Sequence, residues 1–258
     1  MLAFRILTGW GALMSRWSCV HAAVSIAAFA GIGFSVALAG PVVGGQDSAR
    51  FVFFSGTDLW RQGAFAHGGL LWSPGGIDRE GFTLKAALAG GSYRYISGAL
   101  NNAQVTGREL GAQILPGWRF KRDKLEVKVF AGVEIRDHHL SPDDPGSSLR
   151  GHYLGLRNAI DVWYEPTPNS MIAGDASIST IGSSFSARGA LGWRVPGQYY
   201  LGPEIAAFGA DVYKQYRLGL HATGIKTGDF EWSAAAGWAS ASDHNKGGYA
   251  RIGILTRR

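Results

Sequence analysis

Residues 199–238 read YYLGPEIAAFGADVYKQYRLGLHATGIKTGDFEWSAAAGW, and their alternation decides the fold. In the middle run Tyr216, Leu218, Leu220 and Ala222 occupy even positions, while Gln215, Arg217, Gly219, His221 and Thr223 occupy odd ones. In the last run Phe230, Trp232, Ala234, Ala236 and Trp238 alternate with Glu231, Ser233, Ala235, Gly237 and Ala239. A period of two puts each set on its own face of a strand. Gly209-Ala210-Asp211 and Lys226-Thr227-Gly228-Asp229 carry the Gly and Asp that tight hairpins need. The stretch therefore reads as three strands of an antiparallel meander, each about a dozen residues long. That suits a tilted, bilayer-spanning barrel better than a soluble sandwich, whose strands average about five or six residues.

The same alternation recurs upstream. Phe51, Phe53 and Ser55 oppose Val52, Phe54 and Gly56, and Phe82, Leu84, Ala86 and Leu88 oppose Thr83, Lys85 and Ala87. A fourth run ends with Trp118 and Phe120 on its apolar side. In the fifth, Leu125, Val127, Val129, Ala131, Val133 and Ile135 alternate with Glu126, Lys128, Phe130, Gly132, Glu134 and Arg136. Later runs set Leu154, Leu156, Ile160 and Val162 against Arg157 and Asp161, and Phe185, Ala187, Leu191 and Trp193 against Ser186, Arg188 and Arg194. About twelve strands result, an even number as single-chain outer-membrane barrels have. With the first strand starting in the periplasm, the long connections expected at 92–103, 137–148 and 240–247 fall outside, and the turns at 121, 196 and 226 fall inside. The connection at 73–80 is long for the periplasmic side.

Composition agrees with a barrel. The chain has 38 Gly, nine Trp and nine Tyr, and only 17% charged residues. Residues 1–39 read as a cleavable signal peptide: Arg5 and Arg16 are followed by an apolar stretch from Val20 to Leu38 and an Ala37-Leu38-Ala39 cleavage box. Residues 40–258 are then the barrel domain. The one cysteine, Cys19, lies in the signal, which leaves the barrel without thiol chemistry. Removing two arginines and no acid leaves 23 bases against 19 acids, too even and too dispersed a charge to argue for nucleic acid.

Tyr200-Leu201-Gly202-Pro203-Glu204, Tyr216-Arg217-Leu218-Gly219-Leu220-His221 and Thr227-Gly228-Asp229-Phe230-Glu231-Trp232-Ser233-Ala234-Ala235-Ala236-Gly237-Trp238 together resemble the BcsS family of bacterial cellulose biosynthesis proteins. The likeness covers roughly residues 50–256. It implies a cell-envelope role in secreting cellulose or a related β-glucan, with that polymer and other secretion components as partners beside outer-membrane lipids. It supplies no catalytic residue. The chain ends Leu255-Thr256-Arg257-Arg258, without the terminal aromatic common in outer-membrane barrels.

The parity of the strands sends Glu109, Arg119, Glu126, Lys128, Glu134, Arg136, Arg157, Asp161, Arg188, Arg194, Glu204, Arg217 and Glu231 to the lumen. Two roles are open to them: salt-bridged ladders that fill the interior, or the lining of a hydrated passage that contacts a glucan. Asp137, His138, His139, Asp143 and Asp144 gather several metal-ligand types in one stretch, yet adjacent histidines in a strand end point to opposite sides, so a solvated loop is expected there. His152, His221 and His244 could each serve a triad, but no G-x-S-x-G elbow accompanies them. No metal, cofactor or enzymatic chemistry is expected.

Overall fold

The computed structural model describes residues 49–258 apart from Gly197, Asp211, Val212 and His244. The expected signal peptide lies outside the described residues. Twelve antiparallel strands close into one barrel. They are β1 (Phe51–Trp60), β2 (Gly63–Trp72), β3 (Gly81–Ser97), β4 (Ala103–Arg122), β5 (Leu125–Ser141), β6 (Gly151–Thr167), β7 (Ser170–Ser179), β8 (Phe185–Arg194), β9 (Tyr200–Ala210), β10 (Tyr213–Thr227), β11 (Phe230–Ala241) and β12 (Lys246–Arg257). Each pairs with its neighbours in sequence, and β1 meets β12 in a register running from Val52 opposite Arg257 to Trp60 opposite Tyr249. Closure pairs each strand on both sides, and the upper parts of β3 and β6, residues 94–97 and 151–156, rise past the ladders of their shorter neighbours β2 and β7.

The pattern that makes these segments strands also sets which face is apolar, and it is the outer one. Leu88, Leu110, Leu154, Leu218 and Leu220 are each more than 60% exposed, while Lys85, Arg119, Glu134 and Glu204 are 2% exposed or less. Isolated exposed leucines are ordinary, but a continuous apolar belt around a closed barrel far exceeds what a water-facing monomer tolerates. Such a belt is matched by hydrocarbon. Outward-facing Phe51, Phe53, Phe82, Trp118, Phe120, Trp193, Phe230 and Trp232 cluster where β1 begins, which forms an interfacial girdle at that end.

Three expected connections are shorter than the sequence suggests. They span 98–102, 142–150 and 242–245, because β3, β5 and β11 run further before turning. The alternation continues through mixed residues that read as loop: Tyr93, Tyr95 and Ser97 face in on β3, and His138 and Leu140 face in on β5. Gly209 and Ala210, expected in a turn, close β9 instead. A tilted strand crosses a bilayer in about 9–11 residues. With 17, 20, 17 and 17 residues, β3 to β6 therefore build a wall that extends beyond the membrane.

Candidate functional site

The interior of the barrel is the site, and it is filled. Strand parity brings Glu126, Lys128, Glu134, Arg136, Arg157, Asp161, Arg188, Arg194, Glu204, Arg217 and Glu231 to the inner face. Some pair along the wall, on one strand or between near neighbours. Arg157 Nε lies 2.6 Å from Glu134 Oε2, Arg136 is 3.2 Å from the same carboxylate, and Ser179 donates to it as well. Arg188 lies 2.7 Å from Asp175 and 3.2 Å from Glu204. Lys128 and Arg119 flank Glu126 at 2.7 and 3.7 Å, and Arg257 is 3.0 Å from Glu231.

Other pairs skip strands and so reach over part of the lumen as chords. Lys85 on β3 reaches Asp161 on β6 at 2.8 Å. Arg217 on β10 holds Asp58 on β1 at 2.7 Å, and Arg251 on β12 bonds Glu204 on β9. His221 Nε2 on β10 lies 3.0 Å from the Leu191 carbonyl on β8, with Nδ1 3.0 Å from Thr223. Between these pairs lies one small cavity. Lys85, Gln113, Arg157, Asp161, Asp175 and Ser177 help to line a cavity of ≈ 10 Å³ measured by the positions a water centre can take, about one water.

Both mouths are stoppered. At the end where β1 starts, the 73–80 connection folds inward, burying Ile77 among Val52, Phe54, Leu71, Leu115, Phe130 and Leu255. Arg119 donates to the Ile77 carbonyl, and the Ile77 N–H bonds the Ala49 carbonyl at 2.8 Å. This explains the length of that connection: it is a plug rather than a turn. At the other end the 142–150 loop turns in. Tyr95 donates to Asp144 Oδ2 at 2.8 Å, the Gly146 N–H donates to Oδ1 at 2.9 Å, and Leu149 packs on Ile181 and Ala210. Gly182, at φ +56°, makes room for this seat, since a Cβ there would lie 2.5 Å from Leu149. Burial disfavours the Asp144 carboxylate, but the hydroxyls of Ser97 and Tyr95, the Gly146 N–H and the charge of Arg150 outweigh it and hold the group below the ordinary aspartate range. Below this loop a file of rings fills the same end. Trp60 stacks on Phe65 at 5.7 Å, Phe65 on Tyr93 at 6.5 Å and Tyr93 on Tyr95 at 6.2 Å. The Arg217 guanidinium lies 4.6 Å from the Phe208 ring centroid and 4.8 Å from that of Tyr249.

Several sequence-level groupings come apart. Arg194 stands at the rim, bonded to Tyr200 and, at 3.0 Å, to Gln198. Asp137 and His139 face outward, His138 faces inward, Asp143 pairs with Arg150 at 3.2 Å in the open, and Asp144 is buried. Among the described residues no three His, Cys, Asp or Glu side chains converge as metal ligands. His152 meets Asp137 at 3.1 Å on the outer surface, His221 meets Thr223 and a carbonyl, and His244 lies outside the described residues. Sequence reasoning passed over Asp58, Asp175 and Arg251. Asp58 was open to detection, since it continues the inward parity of Val52, Phe54 and Gly56.

Among solved structures, the KdgM porin is 8% identical, with 80% of this chain and 98% of that one covered and a TM-score of 0.46. LpxR from Salmonella typhimurium is 10% identical over 80% and 99%, with a TM-score of 0.47. The translocator domain of the autotransporter NalP from Neisseria meningitidis is 14% identical over 84% and 90%, with a TM-score of 0.46. These superpositions are loose, and the fold rests on the strand topology described above. No curated protein matches the chain in sequence. A family model does, over residues 52–258, which include every strand but the first residue of β1; the chain belongs to the BcsS family of cellulose biosynthesis proteins.

Proposed function

We propose that this protein is an outer-membrane accessory of cellulose biosynthesis that anchors the glucan or its secretion apparatus at the cell surface, and that it does not conduct the polymer through its own lumen. Residues 1–39 export it, and residues 40–258 insert as the barrel. The observation that carries this reading is the set of ion pairs crossing the interior, Lys85 with Asp161, Arg217 with Asp58 and Arg251 with Glu204. A glucan chain is neutral and broad, and these inward-reaching pairs narrow the space it would have to pass. The lumen-facing charges then serve rigidity, and contact with the glucan falls to the tall β3–β6 wall.

The test is where the polymer ends up. In a cellulose-producing strain lacking the protein, synthesis should continue while the polymer is shed to the medium, and the wild-type gene should restore its retention on cells. Polymer trapped in the periplasm of the deletion strain would instead point to a passage. Of the histidines weighed for a triad, His221 bonds a threonine and a carbonyl, and His152 faces the outer surface beside Asp137.

A further inference from the structure

Above the apolar belt, the outer face of the β3–β6 wall turns basic. Arg94 pairs in register with Thr106, and Arg108 stands two residues further along β4, so the two guanidiniums occupy diagonal positions on neighbouring strands. Side chains on such a diagonal start about 7–8 Å apart, a span that long residues bridge. His139 lies directly opposite Arg108 on β5. All three point outward and are exposed, and among the described residues Arg94 and Arg108 have no ion-pair partner. The nearest acid on this face, Asp137, is engaged by His152 at 3.1 Å. One or two rungs below lie Leu88, Leu110, Ile135 and Leu154, each at least 54% exposed.

Two unpaired guanidiniums on neighbouring strands, next to an N–H donor from an imidazole and immediately above lipid-facing leucines, match one ligand geometry. That ligand carries a phosphate at the height of the belt's edge and acyl chains below it. We propose that Arg94, Arg108 and His139 form a binding site for the phosphate of an outer-leaflet lipid headgroup, with the acyl chains lying on Leu88, Leu110, Ile135 and Leu154. Guanidinium forks suit phosphate oxygens because they donate two parallel hydrogen bonds. The inference rests on the reading that the belt is embedded in the outer membrane. It adds that the barrel takes up a particular lipid along one wall, which would set its orientation and the height of the β3–β6 extension above the surface.

The test uses the full barrel in zwitterionic detergent, titrated with bisphosphorylated lipid A and with the same lipid after both phosphates are removed. Heat-modifiable gel mobility of each sample reports barrel formation separately, so failure of the membrane reading is distinguished from failure of the site. The phosphorylated lipid should bind more tightly, and Arg94→Ala with Arg108→Ala should weaken it by about tenfold or more, as expected for lost hydrogen bonds to charged groups. Lys214→Ala with Lys246→Ala, at exposed positions on β10 and β12, should change it by no more than about twofold. Arg94→Gln with Arg108→Gln keeps most of the stem, guards against a folding defect in the alanine pair, and should show the same loss. Equal affinity for the two lipids, an unchanged affinity in both arginine variants, or displacement of the lipid by millimolar inorganic phosphate would overturn the assignment, the last by showing a free-anion site.

Discussion

Lys85 and Asp161 lie 76 residues apart in sequence and on strands separated by two others, yet Nζ and Oδ2 meet at 2.8 Å inside the barrel. The Phe130 ring, on one of the intervening strands, sits 4.3 Å from the same ammonium. Pairs between adjacent strands would run as ladders up the wall and leave the axis free. A pair that skips strands is a chord, and chords narrow a lumen.

This chord makes a specific energetic prediction. Lys85 and Asp161 side chains are 2% and 4% exposed, so Lys85→Ala leaves a buried carboxylate without its partner. The expected cost is about 3–5 kcal/mol, whereas Lys85→Met combined with Asp161→Leu removes both charges and should cost far less. Urea titration of the folded gel band in detergent measures both. Equal losses for the single and the double variant would show that the pair is not buried as described.

Leu220→Arg tests what the belt faces. Leu220 is 62% exposed, so in a water-facing protein the substitution would be nearly silent. In a bilayer an arginine near the midplane costs about 2–4 kcal/mol. Folding efficiency should therefore drop in lipid vesicles.

The loop seat should be acid-sensitive. The seated Asp144 carboxyl is held below its ordinary range, so the unseated form binds protons more readily. Seating is then fully favoured above the ordinary aspartate value and is lost as pH falls through the lower, seated value. Limited proteolysis within 142–150 should accelerate on acidification, and Asp144→Asn should cleave faster at neutral pH with little further pH response. A wild-type cleavage rate that does not change with pH would contradict the seat.

Two glycines separate close packing from mere openness. A Cβ at Gly202 would lie 1.9 Å from the Leu191 carbonyl oxygen, whereas one at Gly189 meets nothing nearer than 3.8 Å. Gly202→Ala must push β8 and β9 apart, at a cost of about 1–3 kcal/mol. Gly189→Ala should be tolerated, and the two are compared by the urea midpoint of the folded band.

Strand number, order and inward parity were legible because a period of two is local information: Leu125 to Arg136 declares its two faces without reference to anything else. Strand ends were harder to place. Tyr93, Tyr95, His138 and Leu140 continue the alternation, but with polar or mixed residues above the membrane, where lipid no longer demands a greasy outer face. The lumen's state could not be read at all. Lys85 and Asp161 carry no mark in the sequence that says they meet, because a chord depends on strand tilt and barrel width. The plug role of Ile77 was hidden for the same reason, although the unusual length of its connection was the visible trace.

The central claim is that the barrel is closed, and the most direct measurement is ion conductance of the purified protein in a planar bilayer. Insertion is verified by heat-modifiable mobility of the same preparation. The structure predicts a current no different from the bare bilayer at neutral pH. Stable single-channel steps from the unmodified protein would mean that the chords and both plugs give way in the membrane, and would contradict the account.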